Sequence, residues 1–174
     1  MFNQFIRHNN IVAGVLAFIR IYLGYHWITS GFGKITGGGF DASGFMKGAI
    51  ASAGGEHPAV QGWWATFLEN VALPNAEIFS YMVMWGEFLV GIALILGLFT
   101  NFAAIMAITM NFAFLFSGTV STNAQMVLLT VFIIAAGHNA GKFGLDRWVI
   151  PFLRDHNLTF NRGNKNHKKH VATV

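Results

Sequence analysis

The sequence encodes an all-α fold of the integral-membrane kind, a four-helix bundle with an outer amphipathic helical loop. Hydrophobic residues make up 54% of its 174 residues and charged ones only 10%, against about 25% charge in a typical soluble domain. Between Phe88 and Gly141 there is no Asp, Glu, Lys or Arg. So long an uncharged stretch cannot cover the outside of a water-soluble fold. Four apolar stretches also approach the roughly 20 residues that a spanning helix needs.

The first stretch covers residues 11–33, the second 78–99, the third 101–117 and the fourth 123–139. Arg7 precedes an apolar run, as in a secretory signal, but Arg20 ends the run and no small-residue cleavage site follows directly. A retained first helix is therefore expected. Thr100–Asn101 and the Ser117–Thr122 turn are short connections, which make sequential helices antiparallel neighbours in a single membrane domain over residues 1–155.

The connection over residues 34–77 differs. Gly37–Gly39 is a flexible break, and after Pro58 the residues Val60, Trp63, Trp64, Phe67, Leu68 and Val71 recur at helical spacing. Gln61, Thr66, Glu69 and Asn70 fill the other face. This pattern predicts an amphipathic helix with Trp63 and Trp64 buried at the membrane interface. It is either a surface anchor packed on the bundle or a lid over an outward-facing site.

Sidedness follows from lysine and arginine. Arg7 precedes the first span, and Lys142, Arg147, Arg154, Arg162, Lys165, Lys168 and Lys169 follow the fourth, whereas the 34–77 loop sets Lys34 and Lys47 against Asp41, Glu56, Glu69 and Glu77. Both termini of a multi-pass cell-membrane protein are thus expected in the cytoplasm. The basic tail, 156–174, is expected to be disordered or to lie on anionic headgroups of the lipid bilayer. A nucleic-acid arm is the alternative, but a membrane already accounts for the basic excess, so no nucleic-acid partner is expected.

Ionisable groups inside a membrane are costly and face the bundle interior. Arg20 and Glu87 each lie about ten residues into their spans, from opposite sides, which puts both near mid-bilayer at 1.5 Å per residue. Their mutual pairing is expected, as a register device or as the functional, catalytic centre. Gly24, Trp27, Gly31 and Lys34 follow Arg20 along one helical face. The glycines permit close approach of a backbone or ligand, and a column of Lys34, Trp27 and Arg20 suits an anion or quinone headgroup entering from outside. Asn111, near the middle of the third span, is a further substrate-binding candidate. Asn123 is either a polar site residue or a helix cap.

Absences narrow the chemistry. With no cysteine, disulfides, thiolate nucleophiles and Cys-ligated clusters are excluded. No P-loop, HExxH, GxSxG or GxGxxG string occurs, and no metal site is expected. His26 and His138 differ in membrane height by roughly 15 Å on helical geometry, which argues against a haem held between them.

Three stretches bear a resemblance: RIYLGYHWITSGFGKI over Arg20–Ile35, GEFLVGIALILGLFT over Gly86–Thr100, and GHNAGKFGLDRW over Gly137–Trp148. Together and in this order they resemble the DoxX/DoxD family of four-helix bacterial membrane proteins. The resemblance implies a role of membrane-oxidoreductase type. One branch, similar to the large subunit of thiosulfate:quinone oxidoreductase, passes electrons from a sulfur compound to quinone. Carried over by position, Arg20, Lys34, Glu87 and Asp146 match the polar pattern, and Gly24, Gly31, Gly91, Gly97 and Asp146 are expected as structural motif positions.

Three functions follow. The first is a quinone-linked oxidoreductase subunit acting on a small, sulfur-type reductant, with bound quinone or a redox partner subunit completing the electron path. The second is a non-catalytic membrane scaffold for partner enzymes. The third is a small-molecule or ion carrier, for which four spans form a thin conduit unless the chain is a homo-oligomer.

Overall fold

The computed structural model describes residues 2–156, so the basic tail beyond falls outside the described residues. Among them there is no strand. Helix α1 (Phe2–His8) leads into α2 (Asn10–Thr36) through Asn9. The Asn9 Oδ1 accepts from the Ile11 and Val12 amides at 2.8 and 3.2 Å, an N-cap that satisfies donors the helix itself cannot. At 27 residues, α2 is roughly 40 Å long, enough to cross a hydrocarbon core. It ends at Gly37, and Gly38 and Gly39 turn the chain with φ of +91° and +104°, a region that glycine enters without penalty.

Helix α3 (Ala42–Ala51) is capped by Asp41, whose Oδ1 accepts from the Ser43 amide at 2.8 Å. The Ser43 hydroxyl, and then its amide, hold the Asp41 carboxyl below the usual carboxylate range. Its first amide, Ala42 N, donates to Ser80 Oγ at 2.9 Å, which ties α3 to α5. Helix α4 (Gly62–Phe67) passes through a π-helical turn (Leu68–Ala72) and a 3-10 turn (Leu73–Asn75) into α5 (Ala76–Leu96). Helices α6 (Thr100–Phe116) and α7 (Asn123–Ala136) follow, then a 3-10 turn (Gly137–Gly141) and a last helix, α8, over 146–156.

Asn10–Thr36, Gly62–Leu96 and Asn123–Gly141 are each long and apolar enough to cross a membrane, and Thr100–Phe116 is a shorter apolar helix. Leu16, Leu23, Trp27, Leu94, Ile133 and the small α6 residues Ala103, Ala104 and Ala107 form the bundle core. The α2–α5 seam is built on glycine. A Cβ at Gly31 would lie 2.5 Å from Phe88 N, one at Gly24 would lie 2.7 Å from Ile95 Cγ1, and one at Gly91 would fall on the Ile28 backbone. Such close backbone approach is what joins helices in lipid, where the hydrophobic effect offers no drive.

The outer layer departs from the expected register. Its buried residues are Val60, Ala65, Leu68 and Ala72, with Ala42, Met46 and Ala49 of α3. Trp63 is 57% exposed and Val71 is also exposed on the protein surface, so neither side chain packs inside the protein. The π turn explains the shift at Val71. It spends an extra residue per turn and carries the buried face from the 71 position to Ala72. Trp64 is half-buried, and its Nε1 donates to Ser117 Oγ at 2.9 Å.

Two elements had no counterpart in the sequence reading. Helix α1 is set off from α2 at Asn9, and buried Asn139 donates through Nδ2 to the Ile6 and Asn9 carbonyls at 2.7 and 3.0 Å. Helix α8 occupies residues between the fourth apolar stretch and the tail, for which no helix was expected. The turn between α5 and α6 is residues 97–99 rather than Thr100–Asn101.

Candidate functional site

Arg20 and Glu87 do not meet. Arg20 is 1% exposed, and its guanidinium lies against Gly97 and Gly144, whose backbones touch each other. A Cβ at either glycine would collide with Nη1. Its Nη2 donates to the Phe143 carbonyl at 3.2 Å, while Nε and Nη1 have no partner among the described residues. Asn111 does not serve Arg20 either, since both its amide atoms are buried without a partner among the described residues. The reason is axial position. Gly97 is ten residues from Glu87 along α5, roughly 15 Å, so a side chain lodged at Gly97 cannot reach Glu87.

What surrounds Arg20 is a junction. Asp146, the carboxylate whose charge acts on Arg20, accepts from the Phe99 amide through Oδ1 at 2.6 Å and from the Thr100 amide through Oδ2 at 2.9 Å. It thereby caps α6 from another segment, with its negative charge at the positive end of the helix dipole. The Leu145 and Asp146 amides in turn donate to the Leu96 and Gly97 carbonyls at 3.0 and 2.8 Å. The capped turn is tight, with Gly97 and Phe99 both at positive φ, +64° and +48°.

Glu87 is instead paired with Lys34. The Lys34 Nζ lies 2.5 Å from Glu87 Oε2 and also donates to Ser30 Oγ at 2.8 Å. The Glu87 side chain is 2% exposed and that of Lys34 23%. Lys34 is near the end of α2, and its flexible four-carbon stem carries the ammonium away from its Cα to the carboxylate. The Phe40 ring centroid lies 5.3 Å from Nζ, within cation–π range.

This pair lies on the wall of a cavity of about 570 Å³. Trp27, His26 and Ser30 of α2 line it, as do the aromatic rings of Phe40, Phe45 and Phe114. Thr119, Asn123 and Met126 contribute from the α6–α7 side. Buried Trp27 Nε1 has no hydrogen-bond partner among the described residues. His26 is packed edge-on against Tyr22, centroids 4.6 Å apart. Asn123 is the first residue of α7 rather than its cap, and its Nδ2 donates to the Thr119 carbonyl at 2.9 Å. Of the residues singled out from sequence, Trp27, Lys34 and Glu87 share this cavity. Arg20 and Asp146 belong to the junction 14 residues back along α2 from Lys34, roughly 21 Å away, and Asn111 is buried but absent from the cavity wall.

The sequence reading missed Ser30, Phe40, Phe45 and Phe114. Ser30 had a signal, since it precedes Lys34 by one helical turn. The three phenylalanines come from separate elements, and only the tertiary fold joins them.

A sequence model of the DoxX family matches residues 15–120, more than half of the chain. The chain belongs to the DoxX family. No curated protein and no solved structure matches it. The DoxX match covers Arg20, Trp27, Lys34, Glu87 and Asn111 and stops short of Asp146. With apolar helices of spanning length, this DoxX chain is a multi-pass membrane protein.

Proposed function

We propose that the Lys34–Glu87 cavity binds a quinone headgroup and that the chain is the quinone-linked subunit of a membrane oxidoreductase. The observation that carries this reading is a buried ion pair on the wall of a cavity that Trp27, Phe40, Phe45 and Phe114 also line. Ligand sites typically combine apolar walls with a few convergent polar groups. Quinone reduction consumes two electrons and two protons. Lys34 supplies an ammonium donor for one carbonyl oxygen. Trp27 Nε1, a buried donor without a partner among the described residues, suits the other, since such a group gains most from being filled. Glu87 supplies an acid–base group able to relay protons.

The electrons come from outside the chain. A cysteine-free sequence has no dithiol to cycle, so the reading assigns the two electrons to a small sulfur anion, oxidised directly or through a redox partner subunit. The basic residues Arg7, Lys142, Arg147 and Arg154 support an orientation with both termini cytoplasmic and the cavity facing outward.

The test is a titration of the purified chain in nanodiscs with a short-chain quinone. Saturable binding that Lys34→Met and Glu87→Gln each weaken at least tenfold, in variants that elute as the native protein does, is the expected result. Equal uptake by wild type and both variants overturns the reading. A stoichiometric partner co-purified without bound quinone would favour the scaffold instead.

A further inference from the structure

We propose that the opposite end of the bundle holds a binding site for a phosphoryl anion, supplied by the headgroup of an anionic phospholipid. A cavity of about 340 Å³ lies there, remote from the Lys34–Glu87 cavity and independent of its assignment. Arg7 and His8 come to it from α1, His138 and Lys142 from the turn after α7, and Arg147 and Arg154 from α8.

The charge balance is one-sided. Asp146 is the only carboxylate among the lining residues, and both its oxygens already accept backbone amides. Arg7 Nε donates to the Ala135 carbonyl at 3.1 Å and Lys142 Nζ to Asn10 Oδ1 at 2.5 Å. These acceptors are neutral, so they fix the side chains without cancelling their charge. Converging guanidinium and ammonium groups with spare donors match a phosphate, which arginine can grip in bidentate fashion.

The fold indicates where that phosphate comes from. Along α8, Arg147, Ile150, Pro151 and Arg154 recur at i, i+3, i+4 and i+7 and line the cavity. Trp148 and Phe152 are 64% and 61% exposed, as is neighbouring Phe143 at 54%. A helix with a basic face and an aromatic face lies in the plane of the membrane interface. The cavity it roofs is therefore at headgroup height, where basic pockets between helices take up anionic lipid heads.

The experiment uses the full chain purified in a mild detergent, with native mass spectrometry and thermal unfolding as readouts. Phosphatidylglycerol, phosphatidylcholine and inorganic phosphate are added separately. Retention of phosphatidylglycerol over phosphatidylcholine, with a rise in Tm lost in the Arg147→Gln/Arg154→Gln variant, is the expected outcome. Should that variant fail to fold, Arg154→Gln alone, at an exposed position of α8, is expected to weaken phosphatidylglycerol retention at least threefold. A matching Tm rise with inorganic phosphate, lost in the same variant, keeps the phosphoryl site and makes free phosphate its source. Equal retention of both lipids, or undiminished phosphatidylglycerol binding in folded variants, overturns the proposal.

Discussion

Lys34 reaches from the end of α2 to hold the Glu87 carboxylate of α5 at 2.5 Å. Together with the glycine contacts along the same two helices, this ion pair fixes how far α2 and α5 slide past one another.

Breaking that pair should cost more than deleting it. Lys34→Met leaves the nearly inaccessible Glu87 without a counter-charge, and removing one partner of a buried pair typically costs about 3–5 kcal/mol. Because Lys34 retains some exposure, a loss near the lower end, about 3 kcal/mol, is expected. Adding Glu87→Leu should recover most of it, since apolar replacement of a buried pair is often neutral in stability. Reversible unfolding in mixed micelles measures both. A double variant as unstable as Lys34→Met would contradict the pairing argument.

Glycine contacts along α2–α5 predict a sharp contrast between positions. Gly91→Ala drives a methyl into the Ile28 backbone, whereas a Cβ at Gly14 meets nothing within 4 Å. Gly91→Ala should lose at least about 2 kcal/mol through overpacking. Gly14→Ala should be neutral or gain up to about 1 kcal/mol from helix propensity. Similar Tm values for the two variants would remove the case for a glycine seam.

The Asp146 cap makes a graded prediction. Asp146→Asn keeps an acceptor oxygen but loses the charge facing the α6 terminus and Arg20, while Asp146→Ala loses both amide contacts. Losing a cap costs about 1–2 kcal/mol, so Ala should be the more damaging by roughly that amount. Hydrogen exchange at Phe99 and Thr100 is the direct readout, and unchanged protection in Asp146→Ala would refute the cap.

Topology is testable without background labelling, because the chain has no cysteine. Under the proposed orientation, Ser52→Cys in the exposed loop after α3 should react with an impermeant maleimide in intact cells. Thr173→Cys should react only after lysis. The reverse pattern would invert the bundle and point the Lys34–Glu87 cavity inward.

Much of the architecture was legible because composition and span length are properties of the local sequence. The face shared by Gly24, Trp27, Gly31 and Lys34 was legible for the same reason, since helical spacing alone defines it. The Arg20–Glu87 pairing was not. It assumed that two residues equally far into their spans meet at one depth. The α2–α5 register instead sets Arg20 against Gly97 and leaves Lys34 to bend back to Glu87. The outer helix was misphased by one residue because no sequence signal announced the π turn at Leu68–Ala72. The aromatic wall of the cavity and the trans cap by Asp146 each join residues far apart in sequence, and no periodicity encodes such meetings.

The junction around Arg20 also bears on how the bundle comes apart. Its guanidinium rests against both Gly97 and Gly144, whose backbones touch each other, and those two segments are latched by the Leu145 and Asp146 amides. A few hydrogen bonds and the Arg20 contact hold residues 143–146 to this turn, whereas α2 and α5 share a long glycine seam. The C-terminal segment is thus the first piece expected to detach. Mechanical unfolding pulled from the C-terminus should release it first, ahead of the α2–α5 seam, and simultaneous rupture of the two would refute that sequence of events.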